Sequence, residues 1–225
     1  MNILAIDTST EACSAALLRS DGRVFSEFEI TPRQHTRYLP FMMDAVLAEA
    51  DLSKLSLTHC AFANGPGAFT GIRIAAASIQ GISMGLNIPV VQISTLAVLA
   101  QTCFDRYAVD SVVAALDARM NEVYWARYKT NENGLAMLVG EEKLDKLDDV
   151  YFDSAPASGV GHGWSIAPAS WLGGATDIKI DSDLLPDARS LLKLARQAVV
   201  ENRTFKAENT SINYLRNRVA EKSRR

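Results

Sequence analysis

The sequence predicts an α/β protein made of two related lobes. Three observations predict it. Short apolar runs and helical stripes alternate along the chain in the order of three strands followed by helices and further strands. The opening run, residues 2–7 (NILAID), has a counterpart at 112–117 (VVAALD), and both end in an aspartate. The composition, 48% apolar and 22% charged over 225 residues, is that of a chain able to bury a sizeable core.

The elements follow in order. Residues 2–6 form an apolar strand ending at Asp7, and 13–18 (CSAALL) form a second. Residues 24–30 (VFSEFEI) alternate, with Val24, Phe28 and Ile30 on one side and Glu27 and Glu29 on the other. Asp21-Gly22 between the second and third runs is a hairpin signal. Leu39, Met42, Met43, Val46, Leu47 and Ala50 recur at helical spacing, with Thr36 as the expected cap and Pro40 near the first turn. Residues 60–63 read as a buried strand, about 70–86 as a helix after the Asn64-Gly65-Pro66-Gly67 break, 90–93 as a strand and 95–103 as a helix. Strands are expected at 122–128 and 136–140, with shorter ones at 158–161 and 178–180. Asp187 is placed to cap a last helix whose apolar face holds Leu191, Leu192, Ala195, Ala198 and Val199. The boundary falls near Asp105. Residues 1–104 are expected to form lobe I, with 208–225 as its possible completion, and 105–207 lobe II.

Composition also limits function. A formal net charge of −3 argues against autonomous nucleic-acid binding, which normally draws on a basic surplus. Cys13, Cys60 and Cys103 are an odd number at wide spacing, which implies neither a zinc knuckle nor a disulfide framework and fits a reduced cytoplasm. No signal peptide or membrane span is expected.

Two motifs carry chemistry. Asp7-Thr8-Ser9-Thr10 places a carboxylate and three hydroxyls at the end of the first strand. Actin-like and sugar-kinase-like ATPases use such a turn to hold hydrated Mg²⁺ and phosphate; a plain hairpin turn has the same composition. The Gly65–Arg73 segment (GPGAFTGIR) lies between strand and helix. Its glycines Gly65, Gly67 and Gly71 and the helix N-terminus can receive an anion, or form a tight turn that only packs. It is not a P-loop, since no Gly-Lys-Ser/Thr follows. On the helix beyond it, Ala77, Gly81 and Gly85 share a face, at about 1 kcal/mol per glycine relative to alanine. Such a stripe invites another backbone, in the same lobe or in a partner. Leu39, Met42, Met43 and Val46 on the preceding helix, with Arg73, are the accompanying candidates for a partner contact; the methionines equally suit a core.

The segments IDTSTEACSAAL, His35-Thr36, NGPGAFTGIR, ISTLAVLA, LDARMNEVYWARY and NYLRNRVA together resemble the TsaB (YeaZ) family, in order and over nearly the whole chain. GPGxFTGxR and DARxxEVYWA are the specific matches. The resemblance implies an actin-like (ribonuclease H-like) two-lobed fold and a non-catalytic role. The chain would bind the paralogous TsaD subunit, which transfers the threonylcarbamoyl group to adenosine 37 of ANN-decoding tRNAs. A TsaE-type ATPase would join that assembly, and tRNA would be met only indirectly. A homodimer is expected when the partner is absent.

Two absences agree with that role. The TsaD paralogue holds its metal with a His-x-x-x-His pair after the glycine loop, whereas residues 93–101 here (ISTLAVLAQ) contain no imidazole or carboxylate. Active actin-like ATPases follow the second Asp with a glycine-rich turn; here Asp117 precedes Ala118-Arg119-Met120-Asn121. No catalytic residue, metal site or required cofactor is therefore expected. Weak ATP or ADP binding stays open, and an active ATPase or small-molecule kinase is the rival reading. A metalloprotease lacks its ligands here, and no local motif pairs a nucleophile with a base. The tail from Tyr214, with Arg216, Arg218, Lys222, Arg224 and Arg225, offers charge to tRNA or an acidic partner, or is a solvated chain end.

Overall fold

The computed structural model describes residues 1–152, 158–172 and 178–216. Strands β1 (Ile3–Asp7), β2 (Ala12–Leu18) and β3 (Val24–Ile30) form an antiparallel meander. Gly22 turns the second hairpin with φ +89. β4 (His59–Ala63) and β5 (Val90–Ile93) add in parallel on the other side of β1, so the sheet order is β3-β2-β1-β4-β5. Helices α1 (His35–Glu49) and α2 (Phe69–Leu86) supply the crossovers and cover one face.

The second lobe repeats this plan. β6 (Ser111–Arg119), β7 (Glu122–Thr130) and β8 (Ala136–Lys146) form the meander, and β9 (Ser158–Val160) and β10 (Lys179–Asp181) add in parallel beside β6. The order β8-β7-β6-β9-β10 matches that of the first sheet position for position. β8 runs six residues past the expected end, pairing with β7 through Lys146 across an irregularity at Trp125/Arg127. An edge strand tolerates the five charged residues Glu141, Glu142, Lys143, Asp145 and Lys146 because one face stays in water. Below this sheet the 3₁₀ turns His162–Ile166 and Ala169–Leu172 replace long helices. There Trp125, Trp164 and Trp171 pack with Phe152, Trp164 and Trp171 meeting edge to face at 5.2 Å. Gly159 makes room for that packing: a Cβ there would lie 2.3 Å from the Trp164 ring.

Helices α3 (Thr95–Arg106) and α4 (Ala188–Val200) lie between the two sheets. α3 packs on the second sheet through Leu96, Leu99, Ala100 and Cys103. α4 falls in the 105–207 segment expected to form lobe II, yet packs on the first sheet, where Leu191, Ala195 and Ala198 meet Ile3, Ala5 and Val91. The small residues Ala5, Ala16, Ala61 and Ala63 on that face let a helix approach closely. Asp187 caps α4 as expected, accepting from Arg189 N at 2.8 Å.

One local expectation is corrected. α1 begins at His35 with Gln34 at the cap position and no side-chain cap bond, so Thr36 sits inside the helix rather than capping it. The chain has already turned at residues 31–34, where Gln34 N donates to the Thr31 carbonyl and Arg33 takes φ +64. Val24, Phe28 and Ile30 do share one face of β3; that face is exposed, and Phe25 on the opposite face packs against the core. β3 is an edge strand, and α4 reaches that face only as far as Ser26, which accepts from Arg189.

Candidate functional site

Asp7 ends β1 on the face turned towards α4 and is 1% exposed. Its Oδ1 accepts from Ser9 N at 2.8 Å and from Ser9 Oγ at 2.6 Å. Its Oδ2 has no hydrogen-bond partner among the described residues. Burial pushes the carboxyl up to about 6, against the two Ser9 hydrogen bonds, which pull it down, and with a small push from Asp187.

The rest of the turn is used up by packing. Thr8 Oγ1 donates to the Gly71 carbonyl at 2.7 Å, and Ala68 N donates to the Ser9 carbonyl at 2.7 Å. A Cβ on Gly71 would lie 1.9 Å from the Thr8 carbonyl oxygen, and one on Gly67 would lie 2.3 Å from that of Ser9. These glycines let two backbone segments touch. Gly65, with φ +105, lies under the C-terminal segment, where a Cβ would meet the Asn213 carbonyl at 3.0 Å.

Between the lobes lies a cleft of 730 Å³. Ser9, Thr10, Gly67 and Gly71 line it on one side, Asp117, Arg119 and His162 on the other, and Asn213–Arg216 along one wall. Asp7, Thr8 and Gly65 are not among its lining residues. Across the cleft, Arg119, Met120 and Asn121 take φ values of +63, +58 and +61, the backbone a glycine turn would adopt. The side chains remain, however: Asp117 Oδ1 accepts from Arg119 N, and its Oδ2 pairs with the Arg119 guanidinium at 3.0 Å. His162 Nδ1 accepts from Asp117 N at 3.0 Å, and burial lowers its pKa more than Glu11 and Asp117 raise it.

The cleft therefore does not fit a tightly held Mg²⁺-nucleotide. The Ala68 N–H faces the chain's own Ser9 carbonyl, the glycines are filled by backbone, and the second turn carries an arginine and a methionine. Among the described residues no group of three His, Cys, Asp or Glu is placed to hold a metal ion. Ser9 Oγ is hydrogen-bonded to a carboxylate rather than to an imidazole. The three cysteines are buried, and burial pushes their thiols up to about 11 or 12. His35 is buried with Nε2 3.2 Å from the Ala12 carbonyl, and His59 Nδ1 is 2.9 Å from Thr58 Oγ1. No helix among the described residues is long and apolar enough to cross a membrane.

The partner candidates divide in two. Leu39 (1% exposed), Met42 (7%) and Val46 (0%) are in the core under α1, with Met43 packed against it, so the first three are corrected from contact surface to core. Their apolar periodicity answers the sheet below them. The outward residues of α1 include Phe41, 71% exposed, with Arg37, Asp44, Ala45 and Ala48. On α2 the stripe Ala77, Gly81 and Gly85 faces out beside Met84, 66% exposed, and among the described residues nothing lies within 4 Å of a Cβ built on either glycine. Arg73 is held by its own chain: its guanidinium lies 3.2 Å from the Phe69 ring centroid and donates to the Phe69 carbonyl and the Tyr214 hydroxyl. Phe41 and Met84 were missed from sequence because each stands off the apolar stripe that the helical period selects.

Two five-stranded sheets of identical order, with helices between and beside them and a cleft at the strand ends, define an actin-like (ribonuclease H-like) two-lobed protein. The family model described as TsaD, tRNA N6-adenosine threonylcarbamoyltransferase, matches residues 28–167. The tRNA threonylcarbamoyladenosine biosynthesis protein TsaB of Escherichia coli (strain K12) is 40% identical over 98% of this chain and 96% of its own length. That of Haemophilus influenzae is 35% identical over 97% and 95%. Among solved structures, YeaZ from Pseudomonas aeruginosa superposes with a TM-score of 0.87 at 38% identity, covering 95% of this chain and 99% of that one. The chain belongs to the TsaB (YeaZ) family.

Proposed function

We propose that this chain is the non-catalytic partner of a TsaD-type catalytic paralogue in forming N6-threonylcarbamoyladenosine at position 37 of ANN-decoding tRNAs, in the cytoplasm. The observation that carries the reading is the α1–α2 face. Phe41 is exposed on α1, Met84 is exposed on α2 beside a stripe of small residues, and the two stripe glycines have open space above them among the described residues. Glycine in a helix interior costs about 1 kcal/mol relative to alanine, and among the described residues no group packs over Gly81 or Gly85 to offset it. A second backbone against that face would. The same face serves for a homodimer when the paralogue is absent, and a TsaE-type ATPase joins through the complex.

The filled phosphate turn supports a partner role over the rival ATPase or kinase reading. Mass spectrometry of tRNA nucleosides from cells depleted of the chain tests the reading, with the paralogue still expressed. Loss of threonylcarbamoyladenosine, restored by the wild-type chain, is the expected result. Unchanged modification overturns it. Calorimetry with ATP and Mg²⁺ is expected to show no tight binding; tight binding with turnover would establish the rival.

A further inference from the structure

Residues 211–216 cross from one lobe to the other over the cleft. Ser211 N donates to Gln92 Oε1 of β5 at 2.8 Å, and Asn213 N donates to the Asn64 carbonyl beyond β4 at 2.8 Å. The Asn213 side chain then turns to the second lobe, donating from Nδ2 to Glu142 Oε2 of β8 at 2.7 Å. The other oxygen of that carboxylate accepts from the buried Tyr128 hydroxyl at 2.7 Å, which holds it in place. Arg216 completes the crossing at the β6–β7 turn. It donates to the Ala118 carbonyl at 3.0 Å and pairs with Glu122.

The seat is shaped for this segment. Gly65 lies beneath Asn213 with no room to spare for a side chain. The Arg216–Glu122 pair is three-quarters shielded from solvent, where a charge-assisted bond holds better than on an open surface. The lobes also meet through packed α3 and α4, where Asp105 accepts from Ser190 and Lys193. One attachment is thus a broad helical contact, and the other is a few polar bonds made by an extended segment on the cleft wall. That is the arrangement of a hinge and a latch.

We propose that residues 211–216 are a latch that holds the two lobes closed over the cleft. Its release point is the Arg73–Tyr214 contact on α2. Arg73 stands one helical turn from Ala77 at the head of the outward stripe, so the catalytic paralogue of the partner reading, on which this release step rests, meets the catch directly when it docks on α2. Engagement of Arg73 by that molecule frees Tyr214, and the loss of Asn213 and Arg216 from their seats lets the lobes part.

The test uses the full chain with spin labels at Glu29→Cys on β3 and Glu141→Cys on β8, the native cysteines being buried. Interlobe distances are measured by electron–electron double resonance, with hydrogen exchange followed at residues 118–122. The Asn213→Ala/Arg216→Ala variant is expected to show a longer, broader distance distribution and exchange at least about tenfold faster at the turn. Tyr214→Phe is expected to shift both in the same direction by less. If the double variant does not fold, Asn213→Ala alone carries the measurement. Distances and exchange equal to wild type in a folded variant overturn the latch.

Discussion

Gly71 sits against the carbonyl of Thr8 so closely that a Cβ at position 71 would lie 1.9 Å from that oxygen. The Thr8 hydroxyl returns a 2.7 Å hydrogen bond to the Gly71 carbonyl. Gly71→Ala must therefore move backbone on both sides and is expected to cost about 3 kcal/mol, the upper end for an overpacked site. Gly81→Ala, over open space, is expected to leave the isolated chain as stable or up to about 1 kcal/mol more so. Urea unfolding of the two variants checks the contrast.

Asp7 makes stability depend on pH. Its folded pKa, about 6, lies above that of the unfolded chain, so between the two values the native state binds the extra proton. Stability conferred by the protonated form is present at low pH, is lost as pH rises to about 6, and changes no further above it. The full displacement corresponds to roughly 3 kcal/mol. Asp7→Asn keeps an oxygen for Ser9 and removes the charge. The variant is expected to gain about 1–2 kcal/mol at pH 7.5, its new amide N–H groups leaving part of the cost. Denaturant titrations at several pH values should show a flatter profile between pH 4 and about 6 than in wild type.

Substitutions on α1 and α2 should separate folding from docking. Phe41→Glu and Ala77→Glu lie on the outward face, and each is expected to change the stability of the isolated chain by less than about 0.5 kcal/mol. Each should weaken binding to the TsaD-type paralogue about a hundredfold or more, as burial of an unpaired charge requires. Val46→Ala, beneath the same helix, should cost the fold about 1–3 kcal/mol while leaving the outward contact chemistry in place. Calorimetric titration of the folded variants decides. Wild-type affinity in both glutamate variants would remove the α1–α2 face from the partner reading.

Trp171 is 1% exposed, packs on Trp164 and Phe152, and donates from Nε1 to the Leu147 carbonyl at 2.9 Å. Trp171→Ala is expected to cost about 3–5 kcal/mol. Trp171→Phe should recover much of the packing but leave that carbonyl without its donor, for about 1–3 kcal/mol. Thermal unfolding followed by tryptophan fluorescence measures both.

Much of the fold was legible because strand and helix periods are local properties. The runs at 2–7, 13–18, 24–30, 60–63 and 90–93 are strands within two residues of their expected ends, and the Asp187 cap is where its residue type placed it. The sequence was silent where the environment of a pattern mattered. Val24, Phe28 and Ile30 alternate as a half-buried strand should, but an edge position left that face uncovered. Leu39, Met42 and Val46 form a stripe that would suit a core or a partner equally, and only the sheet beneath α1 makes it core.

The sequence by itself determined the two-lobed α/β plan and the residue types at both ends of the cleft, which follow from short-range order, and its motifs carried the resemblance that pointed to the family. Only the tertiary structure decided what those residues do. It filled the space around Gly67 and Gly71 with the backbone of Ser9 and Thr8, left Gly81 and Gly85 open, placed α4 on the first sheet, and carried Asn213 and Arg216 across to the second lobe. Glycine has no side chain to report its surroundings, so a tight contact and an open surface read alike along the chain. Asn213 and Glu142 stand 71 residues apart, and no local pattern brings such a pair together.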